Sequence, residues 1–141
     1  MFKKKHSKPQ ERIDSLIGSA ARITGDLSFS GGLRVDGEIR GNVTAKAGEP
    51  STLVLSEHGR IDGDINVTHL VVNGMVNGTV CAEEYMELQS KAKVTGDVHY
   101  KTLELQLGAI ADGRFIYQTE SAVDKDKVVT FKMSSAEAKS S

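Results

Sequence analysis

The chain has 141 residues, of which 38% are hydrophobic, enough for one domain with a core of ordinary size. Its 14 glycines, 2 prolines and lack of Trp are typical of small turns and aliphatic faces, and they argue against a bulky aromatic core. The net charge is -1, but the first twelve residues carry five basic side chains against one acid, so a basic arm precedes an acidic body, which argues against a nucleic-acid-binding core.

Cysteine content and targeting signals both favour the cytoplasm. Cys81 is the single cysteine, so no intramolecular disulfide can form, and the chain fits a reducing compartment. No stretch is long and apolar enough for a transmembrane helix, and "MFKKKHSK" is not followed by the apolar segment that a secretory signal needs. We therefore expect a cytoplasmic protein.

Residues 1–15 come first and are predicted to form a flexible basic arm, because they are polar and include Pro9. The segment "RIDSLIGSAARI" overlaps the end of this arm. Gly18 weakens it as a helix, and we interpret it as an irregular lead-in to the first repeat.

Residues 16–119 contain an internal repeat, which predicts a solenoid. Its unit is an aliphatic residue, any residue, glycine, any residue and a second aliphatic residue. The copies are Ile23–Leu27, Val35–Ile39, Ile39–Val43, Ile61–Ile65, Val76–Val80, Val94–Val98 and a degraded copy with one extra residue, Ile110–Phe115. Successive coils are 15 to 18 residues apart, except for one step of 22 that contains "KAGEPS" at residues 46–51, a predicted surface loop.

Alternating apolar pairs lie between the glycine motifs and indicate short strands with one buried face. The pairs are Leu33 and Val35, Leu53 and Leu55, Leu70 and Val72, and Leu103 and Leu105. A period near 16 to 18 with about three strands per period predicts an all-β fold, a single-stranded parallel β-helix of about six coils and roughly 30 Å in length. Glycine would stand where the chain bends from one face to the next.

The sequence "IDGDINV" at residues 61–67 raises the question of a metal site, because Asp62 and Asp64 flank a glycine. The other copies have polar residues in these two places that are not consistently acidic. These residues are Thr24 and Asp26, Asp36 and Glu38, Arg40 and Asn42, Asn77 and Thr79, and Thr95 and Asp97. Gly63 also stands where an EF-hand loop needs a ligand. We therefore predict outward-facing corner residues and no metal site.

Residues 120–141 end in Ser, Ala and Lys and are predicted to form a polar tail. Within this tail, Val128, Val129 and Phe131 either pair as a strand beside the terminal coil or contact a partner. The residues leave both alternatives open.

Four segments of the chain resemble the bactofilin family. They are "MFKKKHSK" at residues 1–8, "IDSLIG" at residues 13–18, "ITGDLSFSGGLRVDGEIRGNV" at residues 23–43 and "VTGDVHYKTLEL" at residues 94–105. The resemblance covers about residues 1–118. It implies a right-handed β-helix that polymerises without nucleotide into cytoskeletal filaments. It also implies binding to the inner membrane through the N-terminal peptide, and a scaffold for cell-wall synthesis or hydrolysis enzymes that helps to determine cell shape.

The physics of an open β-helix independently favours a polymer. Each end exposes unpaired backbone groups and an aliphatic cross-section, and the sequence shows no strong capping helix at either end. We predict that Phe115 lies in a subunit contact, although an alternative is that it closes the core of the monomer. The full set of predicted polymer contacts is Ile110, Phe115 and Tyr117 at one end and Ile23, Leu27 and Phe29 at the other.

The arm combines an apolar tip with lysines, which suits an anionic membrane surface. The predicted membrane-binding residues are Met1, Phe2, Lys3, Lys4, Lys5 and Lys8. A single arm would bind weakly, but a filament presents many arms at once. The alternative interpretation is a solvated charge run that aids solubility.

Enzyme classes are less consistent with the residues. A left-handed β-helix acyltransferase is the main alternative, since Gly25, Gly31 and Gly37 are six apart, but the preceding residues are not aliphatic and the spacing then fails. None of the histidines is paired by sequence with a nucleophile or a metal-ligand spacing, and we predict that all four are surface residues. They are His6, His58, His69 and His99. We expect no catalytic residues and no cofactor, and few aromatic residues argue against a polysaccharide-binding β-helix.

Overall fold

The structure is a computed structural model that describes residues 13–118 and the backbone of residues 128–130. Its strands wind into six coils, and each coil contributes one strand segment to each of three faces. Successive coils pair in parallel on all three faces. The predicted all-β parallel β-helix of about six coils is confirmed.

The first face of the solenoid carries the alternating apolar pairs. Leu33 and Val35 are buried in the core, while Arg34 between them points to solvent. Met86 and Leu88 form a further pair of the same kind, which the sequence pattern had not revealed. The strands of this face are β1 (Ser15–Ile17), β4 (Gly31–Val35), β7 (Ser51–Leu55), the second half of β9 (Ile65–Val72), the second half of β11 (Val80–Leu88) and β14 (Leu103–Leu105).

The second face turns the middle residue of every strand inward; this residue is buried in all strands except β2, where Ile23 is partly buried. Its strands are β2 (Arg22–Thr24), β5 (Glu38–Arg40), β8 (Arg60–Asp62), β10 (Met75–Asn77), β12 (Lys93–Thr95) and β15 (Ile110–Asp112). Here the position assigned to Ile110 within the repeat is wrong. Ala111 pairs with Val94 and is buried, whereas Ile110 pairs with Lys93 and is 42% exposed. The last copy of the repeat is therefore Ala111–Phe115, with the usual spacing, because the ladder with β12 aligns Ala111 with the inward-facing Val94.

The third face ends in a strand of opposite direction. Its parallel strands are β3 (Leu27–Phe29), β6 (Val43–Ala45), the first halves of β9 and β11, β13 (Val98–Tyr100) and β16 (Arg114–Tyr117). The backbone of β17 (Val128–Thr130) pairs with β16 in the antiparallel sense. Val128 and Val129 thus lie beside the terminal coil, which was one of the two alternatives, while Phe131 lies outside the described residues.

Two further expectations about local structure are wrong. The lead-in "IDSLIG" is not irregular, because Ser15–Ile17 pairs in register with Leu33–Val35 and so forms part of the first coil. The inserted loop is shorter than predicted, because Ser51 already belongs to β7 and is 1% exposed. The hydroxyl of Ser51 accepts a hydrogen bond from the amide of Thr68 at 3.1 Å, which gives this polar side chain a partner inside the structure.

A column of glycines turns the chain between the second and third faces. At Gly63 φ is +155°, and a Cβ there would overlap the carbonyl oxygen of Gly41 one coil earlier. The amide of Gly63 donates to the carbonyl of Asn77 one coil later at 2.9 Å. Only glycine allows the backbones to approach this closely. The column consists of Gly25, Gly41, Gly63, Gly78, Gly96 and Gly113.

At four corners the polar residue after the glycine has a structural role that the sequence interpretation missed. The carboxylate of Asp64 accepts a hydrogen bond from the amide of Thr79 at 3.0 Å, and the amide of Asp64 donates to the side chain of Asn42 at 2.9 Å. The side chain of Asp64 is therefore not only solvated, because it also accepts the hydrogen bond of a backbone amide in the next coil. The same bond joins Asp26 to Asn42 and Asp97 to Arg114.

The glycine column predicts a graded series of stability losses. Gly63→Ala adds a clash and an unfavourable φ, and we expect it to lower the free energy of unfolding by about 2–4 kcal/mol. Gly25 has φ +127°, and no atom lies within 4 Å of the place where a Cβ would stand, so Gly25→Ala should cost about 1–3 kcal/mol from φ alone. Gly18→Ala meets neither problem and should cost less than about 0.5 kcal/mol. Urea denaturation of unassembled protein measures all three, and equal losses would contradict the role of the column.

Asp97 allows a pH-dependent test of the hydrogen bonds between these polar side chains and the backbone amides of the next coil. Hydrogen bonds from the side chain and backbone of Arg114 hold the pKa of the Asp97 carboxyl below its usual value. A lowered pKa in the folded state means that the stabilisation is present above the unfolded pKa of about 3.9 and is lost as the pH falls through the folded value. We expect Asp97→Ala to speed hydrogen exchange of the Arg114 amide at neutral pH.

Asp97→Asn provides the control, because asparagine keeps the acceptor oxygen, as Asn42 does in an earlier coil. The exchange rate in Asp97→Asn should stay near that of the wild type at neutral pH and change less on acidification. The same Arg114 exchange rate in all three proteins would remove this role from Asp97.

Candidate functional site: the two ends of the solenoid

In the middle coils both edges of each strand are paired with neighbouring coils, whereas most strands of the two terminal coils are paired along one edge only. Within residues 13–118 and 128–130, the first-coil strands β1, β2 and β3 each pair along one edge. At the other end, β14 and β15 also pair along one edge, whereas β16 lies between β13 and β17. An unpaired edge is a row of N–H and C=O groups ready to bind another strand. The first end therefore offers three such strands and the last end offers two.

The predicted contact residues at the first end lie in the first coil but are not fully open to solvent. Ile23, Leu27 and Phe29 are partly buried and pack against the core. Beside them, Ile13 is 41% exposed and Leu16 is 60% exposed. Sequence reasoning missed these two residues, because the segment that contains them was interpreted as an irregular lead-in.

The predicted contact residues at the last end do not form one cluster. Phe115 faces inward on the third face and is 1% exposed, whereas Ile110 faces outward on the second face. Tyr117 is 41% exposed, and its ring lies 5.9 Å from that of Tyr100 between centroids. Phe115 and Tyr100 meet edge to face at 6.2 Å. Phe115 thus closes the described core of the single chain, with the more exposed Tyr117 beside it.

Leu107 is a further candidate at the last end. It lies in the turn between β14 and β15 and is 69% exposed, the most exposed large apolar side chain among the described residues. A single leucine in the turn "QLGA" was a weak sequence signal. Leu107 therefore adds an exposed apolar side chain to the last coil, next to the open edges of β14 and β15.

Charges on the second face are neutralised by their neighbours rather than left for a ligand. Glu38 accepts from Arg40 at 2.8 Å and from Arg22 at 3.2 Å. The hydrogen bond from Arg40 lowers the pKa of Glu38, and Glu38 in turn raises the pKa of Arg40. Such exposed pairs contribute little to stability. They leave the face with little net charge near the first end.

The acids of "IDGDINV" have protein partners. Asp62 accepts a hydrogen bond from the side chain of Asn77 at 2.8 Å and pairs with Arg60 at 3.1 Å. The Asn77 bond, followed by Arg60, lowers the pKa of the Asp62 carboxyl. Among the described residues, no three His, Cys, Asp or Glu side chains gather in a way that could hold a metal ion.

The histidines and the cysteine show no catalytic pairing in the described part of the chain. The surface position predicted for His69 is wrong, because the ladder places it between Thr52 and Tyr85 at 3% exposure, with Nδ1 3.2 Å from the Ser51 carbonyl oxygen. His58 is exposed and His99 is partly exposed. Burial, and then the charge of Glu83, raise the pKa of the Cys81 thiol, which disfavours the reactive thiolate.

A polar cluster on the outside of the first face holds Tyr85 as a fixed donor. The Tyr85 hydroxyl donates its single hydrogen to Glu104 at 2.7 Å, and a carboxylate oxygen of Glu87 lies 3.3 Å from the same hydroxyl. The side-chain amides of Gln89 and Gln106 donate to Glu87. Burial, followed by the bond to Glu104, raises the pKa of Tyr85. The phenol therefore stays protonated and braces coils five and six.

Concave surfaces are shallow in the described region. A groove of about 430 Å³ along the corner between the first and second faces is lined mainly by polar residues, among them Arg34, Asp36 and His58, together with Val54 and Leu55. This groove lacks the pairing of a nucleophile with a base that acyl transfer would need. The described chain also contains no helix of the length and apolarity needed to cross a bilayer.

The predicted membrane-binding residues all precede the described region. They are Met1, Phe2, Lys3, Lys4, Lys5 and Lys8, which lie outside the described residues. Their role stays a prediction.

Comparison with known proteins matches the solenoid to one family. A family profile described as "Bactofilin: Polymer-forming cytoskeletal" matches residues 15–115. The chain is 26% identical to Bactofilin BacO of Myxococcus xanthus (strain DK1622) over 100 residues, which cover 71% of this chain and 76% of BacO. It is 27% identical to Bactofilin BacP of the same strain over 101 residues, which cover 72% of this chain and 40% of BacP.

A solved structure agrees with this match. The chain is similar to the Thermus thermophilus bactofilin in a cryo-EM reconstruction of double helical filaments, with a TM-score of 0.68 and 26% identity. The similarity covers 74% of this chain and 99% of that one. Because the family profile spans more than half of the residues and the solenoid fold agrees with it, the chain belongs to the bactofilin family of polymer-forming cytoskeletal proteins.

Proposed function

We propose that this chain is a nucleotide-independent scaffold that polymerises end to end through its two open coils. The observation that carries the proposal is the set of unpaired strand edges, three at the first end and two at the last end of the described residues. A second copy can extend the same backbone ladder that already joins coil to coil. The filaments of the Thermus thermophilus relative support this proposal.

The side chains at the ends favour the same contact. Leu27 and Phe29 at the first end, and Leu103 and Leu105 at the last end, are only partly buried although they continue columns that are buried in the middle coils. Covering them would remove apolar area from water at about 25 cal/mol per Å². Stacking therefore combines backbone hydrogen bonds with apolar burial.

Within this contact we assign Ile23, Leu27 and Phe29 to the first end. Ile110 and Tyr117 are exposed at the last end and can touch a partner directly. Phe115 is buried, so its contribution is to shape and support the surface that the partner meets.

We further propose that the filament is cytoplasmic and lies against the inner membrane through its basic arms. Each lysine near an anionic leaflet contributes about 1 kcal/mol, and a filament multiplies these weak contacts. A membrane-bound filament offers regularly repeated lateral faces. Such a surface suits the recruitment of cell-wall synthesis or hydrolysis enzymes and a role in cell shape.

Ile110→Lys tests the contact at the last end without a change in the core. The new lysine would stand next to Lys93 on an outward column, so the fold should persist while a charge enters the subunit contact. We expect filaments to be lost or shortened in negative-stain electron microscopy without added nucleotide. Met75→Lys is the matched control, because Met75 also pairs with Lys93 but lies in the middle of the rod.

The two variants separate the possible results. Normal filaments from Met75→Lys with loss in Ile110→Lys would support the assignment. Normal filaments from both would remove Ile110 from the contact. Discrete trimers or lasting monomers from the wild type would refute end-to-end polymerisation itself.

The basic arm is tested by flotation with vesicles. Substitution of Lys3, Lys4, Lys5 and Lys8 by Glu should abolish flotation of the full chain with anionic phosphatidylglycerol vesicles, because attraction becomes repulsion. Wild-type flotation should weaken as salt rises and should be weak with zwitterionic vesicles. Charge reversal at Lys46, Lys91 and Lys93 on the solenoid body is the control. Equal flotation of the arm variant and the wild type would rule out this membrane role.

A further inference from the structure

The strand β17 binds the last coil in an unusual way. Its three residues oppose β16 in the register Arg114 to Thr130, Phe115 to Val129 and Ile116 to Val128. This is the one antiparallel ladder in the described part of the chain, where all coil-to-coil ladders are parallel. The backbone of β17 thus lies along the last coil, in the direction opposite to β16.

The pairing fills the second edge of β16. One edge of β16 already binds β13, and the other binds β17. A strand has two edges, and each backbone N–H or C=O group on an edge pairs with one neighbour at a time. A second copy that stacks on this end can therefore reach β14 and β15, but it cannot pair with β16 while β17 is in place.

The direction of β17 also matters. A copy that runs in the same sense along the filament would present strands parallel to β16, whereas a copy related by a twofold axis across this end would present antiparallel strands. β17 pairs in the second sense. It therefore takes the position and direction that a strand from a twofold-related copy would need.

We propose that β17 is an internal strap that competes with a second copy of this chain for the free edge of β16. The proposal rests on the proposed end-to-end polymerisation. In the closed state the strap covers β16, and in the open state all three strands of the last coil can bind a partner. The apparent affinity of this end is then reduced by the fraction of chains that are open.

The short length of the strap makes such a switch workable. Three opposed pairs in an antiparallel ladder contribute a modest total, so the closed state is favoured but opens readily. Nine residues, 119–127, lie between Gln118 and β17 in the sequence. This length of chain is sufficient for β17 to pair with β16 or to separate from it.

Val129→Pro tests the strap in the full chain. Proline removes an amide hydrogen and is poorly tolerated within a paired strand, so it should release β17 while the parallel coils stay intact. The protein concentration at which half of the chain sediments as filaments should fall about three- to tenfold. Val128→Pro should act in the same way, and Ser135→Pro, outside β17, should leave the concentration at the wild-type value.

A peptide added in trans provides an independent measurement. Excess peptide with the sequence of residues 125–133, "KDKVVTFKM", should raise the half-sedimentation concentration of Val129→Pro back towards the wild-type value. The same peptide with proline at the position of Val129 should have no effect. Circular dichroism checks that each variant keeps its β content.

The results distinguish the strap from the polymer. Filaments of Val129→Pro and Val128→Pro that form at the wild-type concentration, or at a higher one, would overturn the strap and leave end-to-end polymerisation standing. An absence of filaments from the wild type and every variant would refute the proposed function and the strap together.

Discussion

The hydrogen bonding between the backbones of successive coils is the interaction on which the rest of this structure depends. Each strand offers an edge that the strand one coil later uses, so the same pairing repeats along the solenoid. The corners set how closely the coils can stack, and there the column through Gly41 and Gly63 leaves no room for a Cβ. The alternating side chains then fill the interior with aliphatic residues that line up from coil to coil.

This arrangement also accounts for the polar side chains on the outside of the described solenoid. Polar side chains on the outside largely serve the neighbouring coil: Asp64 satisfies a backbone amide, Glu38 pairs with two arginines, and the Tyr85 cluster braces the last coils. The lowered pKa values of Asp62, Glu38 and Asp97 follow from these structural contacts. Perturbed carboxylates are therefore poor evidence for an active site in a fold of this kind.

The ends differ from the middle because the pairing of one coil with the next stops there. Residues that would be buried in a middle coil, such as Phe29 and Leu105, keep part of their surface in the terminal coils. The same physical terms that join coils can thus join subunits. At the last end β17 occupies one of the three strands, so a single edge serves both the monomer and, in our proposal, the filament.

The number of coils, the inward columns and the glycine corners could be predicted from the sequence, because they depend on local alternation and on a residue type that only a tight bend requires. Long-range register decided the rest. Ile110 is a larger aliphatic residue than Ala111, yet the ladder with β12 places Ala111 inside. His69 is buried by its position between two other strands.

The first coil and the strap show the same limit. Ser15–Ile17 has few strand signals of its own and becomes β1 because β4 offers it an edge. The sequence "KVVTFKM" is compatible with a strand or with a partner contact, and its composition does not give the direction in which Val128–Thr130 pairs with β16. By itself the sequence determined a repeating solenoid and the basic composition of the first twelve residues. The tertiary structure alone decided which edges stay open, because an edge is open or closed according to a neighbour that is distant in the chain.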